Sequence, residues 1–156
     1  MLRHSIVIFV AALFIGSTAR AEESKRLTVQ QAILIYNGLI QLDGYDDVCR
    51  DGATEKTCRR IYKFGGGARI SIATNLAEAK RIVTAYTDAR NALIAQYANG
   101  SNKVPDEDIA RFNADDRKAL NATVDVVFGR IKRDDLKLDE NPIPPSVLSL
   151  IIPIID

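Results

Sequence analysis

Histidine is almost missing from this chain: the only one is His4, near the N-terminus. Tryptophan is absent, methionine occurs once, and cysteine occurs only at Cys49 and Cys58. Each gap removes chemistry. With no imidazole beyond residue 4, the body of the chain cannot build a Ser–His or Cys–His relay, nor a histidine-liganded zinc site. The basic excess expected of a nucleic-acid binder is also missing, with 21 lysines and arginines against 20 aspartates and glutamates mixed along the sequence. One long apolar run exists, Ser5 to Gly16, and it falls short of the roughly 20 residues that span a bilayer. Nothing after it is long enough to cross a membrane.

That run sits inside a three-part pattern. Arg3 and His4 precede it, and Ser17-Thr18-Ala19-Arg20-Ala21 follows with small residues at positions 19 and 21. The pattern predicts a signal peptide over residues 1–21 cleaved before Glu22, as against a retained anchor or a first buried helix. Residues 22–156 are then expected to be one small exported domain, periplasmic or secreted. No cysteine follows the small-residue motif, so no lipid anchor is expected there. Cleavage would remove His4, Arg3 and Arg20 and leave a net charge of about −1. In an oxidising compartment Cys49 and Cys58 are expected to pair as a structural disulfide. A redox pair more often has Cys-x-x-Cys spacing. Carboxylates, lysine, tyrosine and backbone groups are what remains for catalysis.

The patterning predicts an α+β fold, mostly helical, with three main helices, a short C-terminal one and a small sheet of two or three strands. Thr28-Val29-Gln30-Gln31 reads as a capping box, followed by an apolar stripe of Val29, Ile33, Tyr36 and Ile40 that Asp43-Gly44 ends. Residues 43–58 read as a surface excursion carrying the disulfide. Ile61 to Phe64 reads as a short strand before Gly65-Gly66-Gly67. Ile72, Leu76, Ala79, Val83, Tyr86, Arg90, Leu93 and Tyr97 then recur at alternating spacings of four and three, closed by Asn99-Gly100. So regular a seam over helix 72–97 calls for another helix against it, or for self-association. Pro105 and the acids after it open a third helix with Ile109, Phe112, Ala119 and Leu120 on its apolar side. Val124, Val126 and Phe128 alternate with Asp125 and Val127, which predicts a strand over 123–131. Ser146 to Ile152 reads as the last helix, within an apolar tail that either closes the core or docks elsewhere.

Candidate sites are few. Lys63 and Arg69 flank the three glycines before a helix, a setting that attracts anions, although the spacing fits neither phosphate-loop fingerprint. Asp43, Asp46, Asp47, Asp51 and Glu55 could gather calcium, but a frame begun at Asp47 places Cys49 third and Cys58 twelfth, where ligands belong. No metal and no cofactor are expected. Arg90 interrupts an apolar seam, where it is expected to snorkel to solvent or pair with a carboxylate, or else to hold an acidic ligand or partner. No pair of carboxylates stands apart as a glycosidase pair.

From Tyr62 to Ile155 the chain resembles a family of small uncharacterised proteins of tailed phages and prophages. The resemblance is carried by Tyr62-Lys63, Arg69-Ile70-x-Ile72-Ala73-x-Asn75, Ala89-Arg90-x-x-Leu93-Ile94-x-x-Tyr97 and Phe112-Asn113. It continues through Val124-Asp125-Val126, Leu148-x-Leu150 and Pro153-Ile154-Ile155. It implies a non-enzymatic, assembly-related role. The signal peptide and the Cys49–Cys58 loop depart from that family. Taken together, the sequence leads to an exported binding or adaptor protein that uses a helical face to engage a protein partner or a second copy. The alternative is a carboxylate-dependent enzyme acting on envelope glycans.

Overall fold

In the computed structural model the described residues are 24–51, 54–101 and 103–156. The signal-peptide pattern and His4 lie outside them. The order is β1 (Lys25–Thr28), α1 (Val29–Leu42), β2 (Tyr45–Asp51), β3 (Thr54–Arg60), α2 (Gly66–Ala98), α3 (Ile109–Asn121), β4 (Thr123–Val126) and α4 (Pro145–Ile151). Single 3-10 turns add Arg133–Leu136 and Ile152–Ile154. The fold is α+β and mostly helical. Its strands form two separate antiparallel pairs, β1 with β4 and β2 with β3.

The capping box is made as the sequence reads: the Gln31 amide donates to Thr28 Oγ1 and the Thr28 amide to Gln31 Oε1. The buried stripe of α1 differs from the expected one. Ala32, Ile35, Leu39 and Leu42 are buried with Val29, whereas Ile33 and Tyr36 are half-buried and Ile40 is exposed. Residues 32–36 are apolar without a break apart from the tyrosine hydroxyl, so two stripes were open to periodicity. The partners decide between them. α2 lies along one side of α1, and α4 crosses at Gly38, where a Cβ would stand 2.7 Å from Ile151 Cγ2. Only glycine admits that approach. Val147, Ile151 and Ile154 are buried against α1 and its neighbours, so the apolar tail closes the core.

α2 is the longest element, about 50 Å at 1.5 Å per residue. Its buried row is Ala68, Ile72, Asn75, Ala79 and Ile82, set against the core in the first half. Beyond residue 82 the helix leaves the core and is met by α3, with Val83, Tyr86, Leu93 and Tyr97 half-buried. Asn99, in the left-handed region at φ 47°, closes it with Gly100 at φ 87°. The two halves of the expected seam therefore have different partner helices.

Among the described residues one expected strand is shorter than its pattern and another does not form. Among the described residues β4 ends at Val126, whose partner Lys25 opens β1. The alternation of burial continues to Phe128, but the backbone finds other partners. The Gly129 carbonyl accepts from Asn75 Nδ2 at 2.7 Å, and the Gly129 amide donates to Asn75 Oδ1 at 2.8 Å. Ile131 then bridges to the C-terminal residues, its amide donating to the Ile154 carbonyl and its carbonyl accepting from the Asp156 amide. Residues 61–65 form no strand either. The Lys63 amide donates to Asn141 Oδ1 and the Gly65 amide to the Asp135 carbonyl. Asn141 in turn donates to the Leu136 carbonyl at 2.7 Å. Asn75 and Asn141 are the two buried polar residues among those described, and each is satisfied. Their side-chain amides do for irregular backbone what a neighbouring strand would do.

Asn75→Ala is expected to lower stability by about 1–3 kcal/mol, because both groups of half-buried Gly129 lose their partner and the buried amide leaves a gap. Ser71→Ala, which removes an exposed contact to the Arg130 carbonyl, should stay within about 0.5 kcal/mol. Urea midpoints of the two variants beside the parent measure this.

Candidate functional site

The segment expected to be an excursion is a regular hairpin. β2 and β3 pair in register from Tyr45 opposite Arg60 to Asp51 opposite Thr54, with Cys49 and Cys58 joined as a disulfide. The hairpin stands away from the core, and Val48 is 66% exposed. Its anchor is aromatic: Tyr62 is buried with its ring 4.8 Å from Tyr45 and 5.3 Å from Phe64. Burial, first, and the nearby Tyr45 raise the Tyr62 pKa, so its hydroxyl stays neutral. The hairpin acids face arginines: Asp43 and Asp46 lie 3.9 and 3.7 Å from Arg59, and Asp47 lies 3.3 Å from Arg60. Glu55 pairs with Arg50 at 3.0 Å. Asp43 and Asp46 share Arg59, and among the described residues no three carboxylates gather as a metal site requires.

The glycine-rich start of α2 has an anion from the chain itself. Asp135, on the 3-10 turn, sets its carboxylate beside the helix end, with Oδ1 3.3 Å from where a Cβ on Gly65 would stand and Oδ2 3.1 Å from one on Gly67. A Cβ at either glycine would require the Asp135 carboxylate to give by a few tenths of an ångström. A negative charge there suits the positive end of the helix dipole.

Between α2 and the root of the hairpin lies a cleft of about 310 Å³. Leu42, Ile61 and Phe64 make one wall; Ile72, Ala73, Leu76 and Ala77 of α2 make the other. Arg69 and Lys80 stand at its two ends, and Asp43 lies on the hairpin side. One guanidinium nitrogen of Arg69 donates to the Tyr62 carbonyl at 2.8 Å, which fixes the side chain across the gap. Ile61 is 65% exposed at the rim. A second cleft, about 350 Å³, lies among Leu136, Leu138, Leu148, Ile152 and Ile155 near the C-terminus.

The three basic residues singled out in the sequence are not brought together. Arg69 lines the cleft, whereas Lys63 is exposed just outside it and contributes its backbone amide to Asn141. Arg90 lies about 31 Å further along α2. There its Nε is 3.6 Å from Asp116 and its guanidinium sits 5.7 Å from the centre of the Phe112 ring. It belongs to a polar latch between α2 and α3. Tyr86 donates to Asp116 at 2.9 Å, Tyr97 donates to Asp115 at 2.6 Å, and Lys118 holds the same Asp115 at 2.8 Å. Sequence reading picked Arg90 from this group and missed its partners. The period of four between Tyr86 and Arg90 was a usable signal; the acids on another helix left none. The cleft's cation Lys80 was also missed, although positions 69, 72, 73, 76, 77 and 80 share a helix face.

Compared with known proteins, the chain matches no protein-family model, no curated protein and no solved structure.

The latch carries a pH signature. Desolvation and then the bond to Asp116 raise the Tyr86 pKa, while the bond to Asp115 is the main cause of the rise at Tyr97. Lys118, first, and Tyr97 lower the Asp115 pKa. The folded state holds the tyrosine protons more tightly than the unfolded chain does. Their contribution is therefore complete below the ordinary tyrosine value of 10.0 and is lost as pH rises beyond it. For Asp115 the contribution is present above 3.8 and fades as pH falls below it. Thermal midpoints between neutral and strongly alkaline pH should fall more steeply for the parent than for the Tyr86→Phe/Tyr97→Phe double variant.

Proposed function

We propose that this is an exported, non-catalytic binding or adaptor protein that engages another protein through the face of α2. One observation carries the reading: exposed Ala73 and Ala77 with half-buried Leu76, beside the buried Ile72, open into a cleft bounded by cations. A concave apolar surface with a few fixed polar groups is the usual form of a binding site. The Cys49–Cys58 disulfide accords with an oxidising compartment. Among the described residues no helix is long and apolar enough to cross a membrane. The likeness of residues 62–155 to small tailed-phage proteins is a proposal of the same kind and points to the same non-enzymatic role.

The alternative, a carboxylate-dependent glycan enzyme, draws less support. A glycosidase general acid needs a raised pKa. The carboxylates with resolved shifts go the other way. Arg81 holds Glu78 below its ordinary value by a direct hydrogen bond, and Lys118 and Tyr97 do so at Asp115.

A photo-crosslinking residue placed at Ala73 or Ala77 in the exporting cell should yield a discrete protein adduct, and one at the exposed Asp106 should not. Gel shift and peptide mass fingerprinting read the result. Absence of adducts at 73 and 77, or identical adducts from 106, would overturn the reading.

A further inference from the structure

We propose that the α2 cleft selects a helical segment of its partner in which an apolar row is bracketed by carboxylates. This rests on the adaptor reading and names the chemistry that the face recognises. Arg69, Ile72, Ala73, Leu76, Ala77 and Lys80 follow the i, i+3, i+4, i+7, i+8, i+11 pattern of a single helix face. The row is apolar in the middle and cationic at each end. Eleven residues put the two cations about 16 Å apart along the axis. Ala73 and Ala77 keep the floor low, so side chains of an incoming helix can approach the backbone of α2.

The charges are available for a partner. Neither Arg69 nor Lys80 has a carboxylate partner among the described residues. Arg69 uses one nitrogen on the Tyr62 carbonyl, which holds the guanidinium in place and leaves its remaining N–H groups to a ligand. Asp43 is the one acid on the lining, and its carboxylate faces Arg59. The pattern presented is thus positive, apolar, positive, and its complement is negative, apolar, negative. An amphipathic helix supplies its apolar side chains at the matching spacing, and acids eleven residues apart on that face meet both cations. A single-headed amphiphile such as a fatty acid meets only one of them, and in a cleft open along its length its chain stays partly wet.

Fluorescence anisotropy with the purified protein tests this. Two labelled helical probes carry leucines at i, i+3, i+4 and i+7; one has Glu at both bracketing positions and the other has Lys. The Glu probe should bind about tenfold tighter at low salt, with the advantage shrinking as salt is raised. Lys80→Glu alters an exposed residue, so the fold should persist by circular dichroism while the Glu probe weakens and the Lys probe gains. Equal affinities, no binding of either probe, or displacement of the Glu probe by dodecanoate in a Lys80-dependent way would overturn the proposal. A discrete adduct at positions 73 and 77 together with probes not distinguished by charge would remove this chemistry and leave the adaptor reading standing. Missing adducts would remove the adaptor reading itself.

Discussion

The side-chain amide of Asn75 is the fastening on which the arrangement depends. It lies at the centre of the buried row of α2 and grips both backbone groups of Gly129, a residue in neither helix nor strand. Pointing that amide inward fixes the rotation of α2 about its own axis. Ala68, Ile72, Ala79 and Ile82 then face the core, and the adjoining row from Arg69 to Lys80 is turned toward the hairpin root. A different rotation would bury the cationic ends or expose the small core residues. The cost of leaving the buried Asn75 amide and the half-buried Gly129 groups unpaired penalises either outcome.

The same economy recurs in a chain poor in strands. Among the described residues only β1 with β4 and the isolated hairpin form ladders, so long irregular stretches must satisfy their polar backbone elsewhere. Asn141 does this for Lys63 and Leu136, the Arg69 guanidinium does it for Tyr62, and the C-terminal residues do it for Ile131. These bonds tie the hairpin root, the start of α2 and the chain end into one body. The walls of the cleft come from those tied segments, which gives it a defined shape without a sheet beneath it.

Much of this was legible in the sequence, where the signal was local. The Thr28–Gln31 box, the Asn99-Gly100 stop, the regular run of α2 and the paired cysteines each involve neighbours in the chain. What periodicity could not give was the outcome of competition between distant parts. α1 offered two apolar stripes, and the crossing of α4 at Gly38 chose between them. Residues 61–64 and 127–131 had strand-like patterns, but their backbone groups bond to the Asn141 and Asn75 side chains, the Asp135 carbonyl and the chain end instead. Arg90 was conspicuous as a charge in an apolar seam, yet its meaning lay in Asp116 and Phe112 on another helix. The cleft joins residues 42, 61 and 80, a grouping that only the fold creates.

Amide hydrogen exchange at Gly129 in the native protein tests the central claim most directly. If the Asn75 clasp holds as described, this amide exchanges as slowly as interior amides of α2, although it lies in no helix or strand. Exchange at the rate of the exposed hairpin amides would mean that the clasp is not formed. The rotation of α2 and the cleft built on it would then lose their basis.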